Sequence, residues 1–425
     1  MAARRWNVAV TGIGLVTPLG LNAIETVERV LRGDRAPGVD PQTGVAAAKA
    51  PAFEIGKTLR YPKNLKLMSQ PVRMALLAAQ DAFAASRLAD SGIAPERLGA
   101  YVGSGQTGLE YDEFFKALTL AWDRGREQDF KYLGPLPTKL IDRYFSLRTL
   151  ANAGVGALST EFNARGPSNN YVQGEVAPAV AIHSACYDLL EDRCDAAIVC
   201  GYESLLVPAM VAAFGNVGLL SGGGFDASYA PFDATRKGIV LGEGAACLIL
   251  ERRADADRRG VTVLGEIDHV GLVSQTADEE LFTGTESDLR DVAREAGDPE
   301  SLTFVVARGL GTELDDLRES QALSGLLNGT PVSALKGQTG YLGAATAAVE
   351  LGIGLLCARK GWLPCVATLD SPDPRIHLNL VRNAPVQLTG APEGMFFSST
   401  FGGQIAAIRA RAFPAQDEAQ EHAHG

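Results

Sequence analysis

Four times along this chain an apolar run of strand length stops at a glycine: Val8 to Gly14, Leu98 to Gly105, Asp195 to Gly201 and Leu302 to Gly309. Such runs lack polar alternation, which marks strands covered on both faces, as in parallel sheets. Between them lie stretches such as Gln70 to Ser86, whose apolar residues recur at helical spacing. Strand, glycine turn and helix in repetition predict a layered α/β fold. Ala245–Glu251 and Ala406–Ala412 read as antiparallel strands that close the two halves, and the polar run Arg252 to Gly260 is the best boundary between them. The expected division is residues 1–252, residues 253–412 and a disordered tail at 413–425.

Composition narrows the function. Hydrophobic residues make up 46% of the 425 and charged residues 21%, which excludes disorder for most of the chain. The longest uncharged run, Ser204 to Phe225, is broken by Pro208, Asn216 and several glycines, so no membrane span is expected. Residues 1–6 lead into a strand pattern rather than a signal-peptide core, and a cytoplasmic location is expected. A net charge of −11 argues against nucleic-acid binding, which needs a basic surface. The six cysteines form no CxxC pair and read as buried free thiols. Only His183, His269 and His377 lie outside the polar tail and could serve a folded site. No metal and no cofactor are expected.

Six segments in order carry a resemblance: Val10–Gly20, Gly166-Pro-Ser168, Pro231–Ala245, Arg308-Gly-Leu-Gly-Thr312, Lys336–Leu342 and Phe401-Gly-Gly403. Together they resemble the β-ketoacyl-acyl-carrier-protein synthases over roughly residues 6–412. The resemblance implies a thiolase-like five-layer αβαβα fold of two βαβαβαββ halves, and a dimer. It also implies a chemistry: a cysteine acylated at a buried helix N-terminus, two histidines that drive decarboxylation and hold the enolate oxygen, and a lysine.

The reactive groups are absent from the matching positions. The family's cysteine lies seven residues after Gly-Pro-Ser, which here is Glu175. Cys186, in His183-Ser-Ala-Cys186, imitates the family's Thr-Ala-Cys, but Gly166 to Glu203 aligns without a gap only with Glu175 in the nucleophile position. The two histidine positions read Arg308 and Tyr341. Lys336 is retained, and Glu319 stands at the acidic position expected to pair with it. Pocket loops depart too: Asp-Gly-Phe-Val becomes Lys237-Gly-Ile239-Val240, and the glycine loop reads Phe401-Gly402-Gly403-Gln404-Ile405.

Nucleophile and both enolate stabilisers are thus missing together. That pattern is similar to the chain-length-factor subunits of type II polyketide synthases, which pair with an active ketosynthase and shape its product tunnel. The resemblance implies a heterodimer served by an acyl carrier protein, with no catalytic residue of its own. A rewired enzyme using Glu175, Arg308, Lys336 and Tyr341 is the alternative. Tyr111, Phe115, Leu118 and Trp122 recur at helical spacing as one stripe. They are the expected tunnel or interface residues, with a core stripe as the competing reading. Glu175, buried at a helix N-terminus, is expected to contact Arg308.

Overall fold

The computed structural model describes residues 5–41, 43–105, 115, 116, 118, 119, 141–275 and 284–415. Each glycine-punctuated run forms a strand whose residues are nearly all buried. The N-terminal set is β1 (Val8–Val16), β2 (Leu98–Ser104), β3 (Ser168–Tyr171), β4 (Ala196–Ser204) and β5 (Glu243–Arg252). The second set is β6 (Gly265–Ser274), β7 (Phe304–Val306), β8 (Val332–Ser333), β9 (Glu393–Thr400) and β10 (Gln404–Ala412). The spatial order is β3-β2-β4-β5-β1 in the first set and β8-β7-β9-β10-β6 in the second. Both are the same topology: three neighbouring parallel strands, then an antiparallel pair that ends on the first strand. The fold is a duplication.

The two sets join edge to edge. Val8, Ala9 and Val10 pair antiparallel with Ile267, Glu266 and Gly265, so the ten strands form one hydrogen-bonded ladder. The covering helices are α1 (Gln70–Ala85), α2 (Ala153–Phe162), α3 (Ala177–Leu190), α4 (Pro208–Asn216), α5 (Glu286–Ala296), α6 (Glu313–Ser324) and α7 (Thr346–Arg359). Helices α3 and α7 touch each other and strands of both sets, so they form a central layer. That position explains their sequences: α7 is buried from Thr346 to Leu355, and a helix covered all round needs no polar face. Helices α1 and α2 cover the outer side of the first set, and α5, with α6 packed beside it, that of the second. The result is the thiolase-like layering.

Close packing of α1 on β1 depends on missing side chains. A Cβ on Gly14 would stand 1.9 Å from the Ala78 carbonyl oxygen, and its counterpart in the second half, Gly271, would place one 2.5 Å from Val292 O. The same device recurs at the same place in each half.

Two boundaries are sharper in the structure than in the sequence. Arg253–Arg259, within the polar run, is a short helix closed by Gly260 in the left-handed region. The expected tail at 413–425 does not begin at 413. Phe413 donates its N–H to Leu264 O, its carbonyl accepts from Arg359, and Arg253 lies over its ring. Residues 416–425 lie outside the described residues. Among the described residues no helix is long and apolar enough to cross a membrane.

Filling the helix–strand contact tests the packing. Gly14→Val should force α1 off β1 and destabilise the chain by about 1–3 kcal/mol or more, measured as a shift of the urea midpoint at unchanged m.

Candidate functional site

The site forms where the N-terminus of α3 meets the loops that follow β7 and β8. Gly174 takes a positive φ of 55°, and a Cβ there would lie 2.4 Å from Thr400 Oγ1. This glycine lets the chain turn so that Glu175, in the short 3-10 turn before α3, points inward with no solvent exposure. Arg308 follows β7 and Lys336 follows β8, both buried. The duplicated topology therefore brings residues far apart in sequence to one point.

Glu175 Oε2 lies 3.2 Å from Arg308 Nε, and Glu175 Oε1 lies 3.0 Å from Lys336 Nζ. The anticipated Glu175–Arg308 contact is thus present, with the lysine added on the other oxygen. The ammonium donates to Arg308 O at 2.7 Å and to both Glu350 oxygens at 3.0 and 3.2 Å. Its approach to Glu175 is charge against charge, without hydrogen-bond geometry. The guanidinium of Arg308 also stands 3.5 Å from Asp315 and 5.7 Å from the centre of the Phe401 ring.

The expected Glu319–Lys336 pair is corrected. Glu319 uses both oxygens on backbone, accepting the N–H of Arg308 at 2.7 Å and of Gly309 at 2.8 Å. It shapes the turn that presents Arg308. The partner of Lys336 is Glu350, which the sequence reading missed. A signal existed: Glu350 is the one charged residue between Thr346 and Cys357, and a carboxylate on a buried helix requires a partner.

Burial opposes the charge on Lys336 and Arg308, yet both are held more firmly protonated than usual because the carboxylates around them outweigh it. Glu350 is pushed up to about 8, first by burial and then by Glu175, against the pull of Lys336. Burial raises Glu319 as well, opposed by its two backbone bonds. Tyr341, also buried, is pushed above the ordinary phenol range by burial and by the neighbouring Glu175. It remains a neutral phenol at pH 7.

Aromatic rings close the site. Tyr341 lies 6.0 Å from Phe214 of α4 and 6.4 Å from Phe401, which are 5.9 Å from each other. Ile239 packs in the same buried cluster, and Gly402 and Gly403 make the positive-φ turn between β9 and β10. The void beside Arg308 and Glu319 measures about 20 Å³, room for roughly one water. Cys186 sits deep within α3, buried, its thiol pushed up by burial. All six cysteines are free and buried. In the expected stripe, Tyr111 and Trp122 lie outside the described residues, Phe115 is 53% exposed and Leu118 is half-buried.

The duplicated fold, with a residue held at the N-terminus of a central helix between two loops, defines a condensing-enzyme architecture. Residues 6–256 match the β-ketoacyl synthase N-terminal domain and residues 267–370 the C-terminal domain. The chain belongs to the β-ketoacyl synthase family. It is 30% identical over 403 residues, 88% of this chain and 91% of the relative, to a Streptomyces cyaneus protein named as polyketide beta-ketoacyl synthase 1. Among solved structures, the ishigamide ketosynthase/chain length factor matches with TM-score 0.83 at 22% identity, over 97% of this chain and 100% of that one. A type II ketosynthase bound to its acyl carrier protein and a hexaketide matches with TM-score 0.81 at 23% identity, over 96% and 99%.

Removing the central carboxylate should be costly. Glu175→Ala leaves Arg308 and Lys336 sharing the remaining carboxylates, and a loss of about 3 kcal/mol is expected, the low end for a broken buried pair. Urea unfolding would read it, and a loss below about 1 kcal/mol would mean that the pair adds no more than a surface one.

Proposed function

We propose that this chain is a non-condensing, chain-length-factor-like subunit that pairs with an active ketosynthase, with residues 1–252 and 253–412 as its two halves. One observation carries the reading. The position that holds the family's nucleophile is a carboxylate, Glu175, locked between two buried cations. A carboxylate could accept an acyl group from a thioester only by forming a mixed anhydride, which is uphill. The positions of the two histidines hold Arg308, always protonated, and Tyr341, neutral at pH 7. Neither exchanges a proton near pH 7 as an imidazole does.

Two features support the reading further. The Tyr341, Phe214 and Phe401 rings pack against one another where the second histidine position stands. Phe115 stands exposed on this chain, as a residue facing a partner would. The fold shared with a ketosynthase/chain length factor and with a ketosynthase bound to its carrier protein agrees with a partner ketosynthase and an acyl carrier protein.

The test is co-expression with a ketosynthase that has its cysteine and both histidines, followed by incubation with acyl-loaded carrier protein. Intact-mass measurement should show acylation of the partner and none of this chain. Glu175→Cys should not restore condensation by the isolated chain. An acyl adduct on this chain, or turnover without a partner, would sink the proposal and favour rewired chemistry at Glu175, Arg308, Lys336 and Tyr341.

The same pair tests the tunnel assignment. Phe115→Ala should lengthen the product read by mass spectrometry. Unchanged length in a correctly assembled pair would remove Phe115 from that role.

A further inference from the structure

Among the described residues, the one strand ladder between the two halves is short. Three residue pairs, Val8–Ile267, Ala9–Glu266 and Val10–Gly265, join β1 to β6. Immediately before β1, Trp6 extends the junction: its backbone N–H donates to Asp268 O at 2.9 Å. Its ring lies against two imidazoles. His269 of β6 is 4.5 Å away between centroids at a 35° tilt, and His183 of α3 is 5.3 Å away, edge to face. Two of the three histidines in the folded chain thus meet at one tryptophan on the seam.

Burial disfavours a charge on either ring, against the attraction that the Trp6 face offers a cation. Arg409 lies directly across the ladder from His269, and Nδ1 of His269 is buried without a hydrogen-bond partner. Burial and Arg409 lower the His269 pKa; burial and His269 lower that of His183, against a weaker pull from Glu295 of α5. A cavity of about 600 Å³, lined in part by Arg5, Asp268, His269, Arg294 and Arg409, lies beside the cluster and can carry water and protons to it. Asp268, paired with Arg411, adds its own titration: burial, with Glu393 next, pushes its carboxyl up to about 6.

We propose that Trp6, His183 and His269 form a pH-sensitive clasp, which fastens the N-terminal half to the C-terminal half while both imidazoles are neutral and loosens when either takes up a proton. The sign follows from linkage. Each histidine titrates lower folded than unfolded, so the unfolded chain binds more protons below about pH 6.5. The clasp's contribution is complete above that value and is lost as the pH falls. Asp268 acts oppositely, because its raised folded pKa favours the folded chain in acid. The histidines are therefore isolated by comparing variants, not by the wild-type profile alone.

Trp6 reports on itself in full-length W122F/W362F protein. Between about pH 8 and 5, its emission should be quenched and shifted to the red with a midpoint below about 6.5, while far-UV circular dichroism stays native. H183F/H269F in the same background keeps the rings and removes the titration, and should lose more than half of the amplitude; what remains belongs to Asp268. Emission that stays flat with native dichroism, or full amplitude in the double variant, overturns the proposal. Should that background not fold, proton NMR of wild-type imidazoles serves, with H183F and H269F assigning the signals. Midpoints below about 6.5 for both are expected, and a midpoint at or above it for either overturns the clasp.

Discussion

Lys336 is a fully buried ammonium, and the centre of this molecule is organised around neutralising it. Its desolvation would cost several kcal/mol if unpaid by partners. Those partners come from every side: Glu175 from the start of α3, Glu350 from α7 and the carbonyl of Arg308 from the loop after β7. One of these belongs to the first half and two to the second. A single charge thus ties the halves together through their shared layer. Carboxylates outnumber cations here, and burial together with Glu175 pushes Glu350 up to about 8 against the pull of Lys336.

The duplication explains why a carboxylate fits at this point at all. The central helices α3 and α7 hold equivalent places in the two halves, and each begins with a short 3-10 turn. Glu175 stands at the start of α3. Glu203, from the end of β4, accepts the Ala344 N–H at 2.7 Å at the start of α7. A buried glutamate thus stands at the N-terminal end of each central helix. Helix N-termini that favour a thiolate in a condensing enzyme favour a carboxylate equally well. On the proposed reading, the architecture that serves catalysis in the family is kept for its electrostatics.

Much of this was legible in the sequence because glycines and apolar runs report local constraints. Val8–Gly14 and Asp195–Gly201 are buried on both faces and could only be interior strands. The Glu175 position followed from an ungapped count from Gly166 to Glu203. Pairing across the fold was less legible. Glu319 and Lys336 were the plausible pair on family position, yet two backbone N–H groups compete for Glu319, and nothing in the sequence shows that competition. Glu350 was hidden by its helix, since an apolar segment with one charge reads as core. The helix at Arg253–Arg259 was obscured by a charge pattern that suits an exposed linker equally well. The Trp6 cluster joins residues from three distant segments that share no motif.

The replaced positions are best understood as one coupled change. Glu175 carries a negative charge into the site, Arg308 a positive one, and Tyr341 a neutral ring that packs with Phe214 and Phe401. Glutamate without arginine would leave one cation, Lys336, between Glu175 and Glu350. Arginine without glutamate would set two buried cations side by side. Effects of residues in such contact are not additive, and each substitution is tolerable mainly in the presence of the other. Reversing one of them to a catalytic residue therefore creates an electrostatic defect before it creates a nucleophile. That coupling is what ties Glu175 and Arg308 to each other.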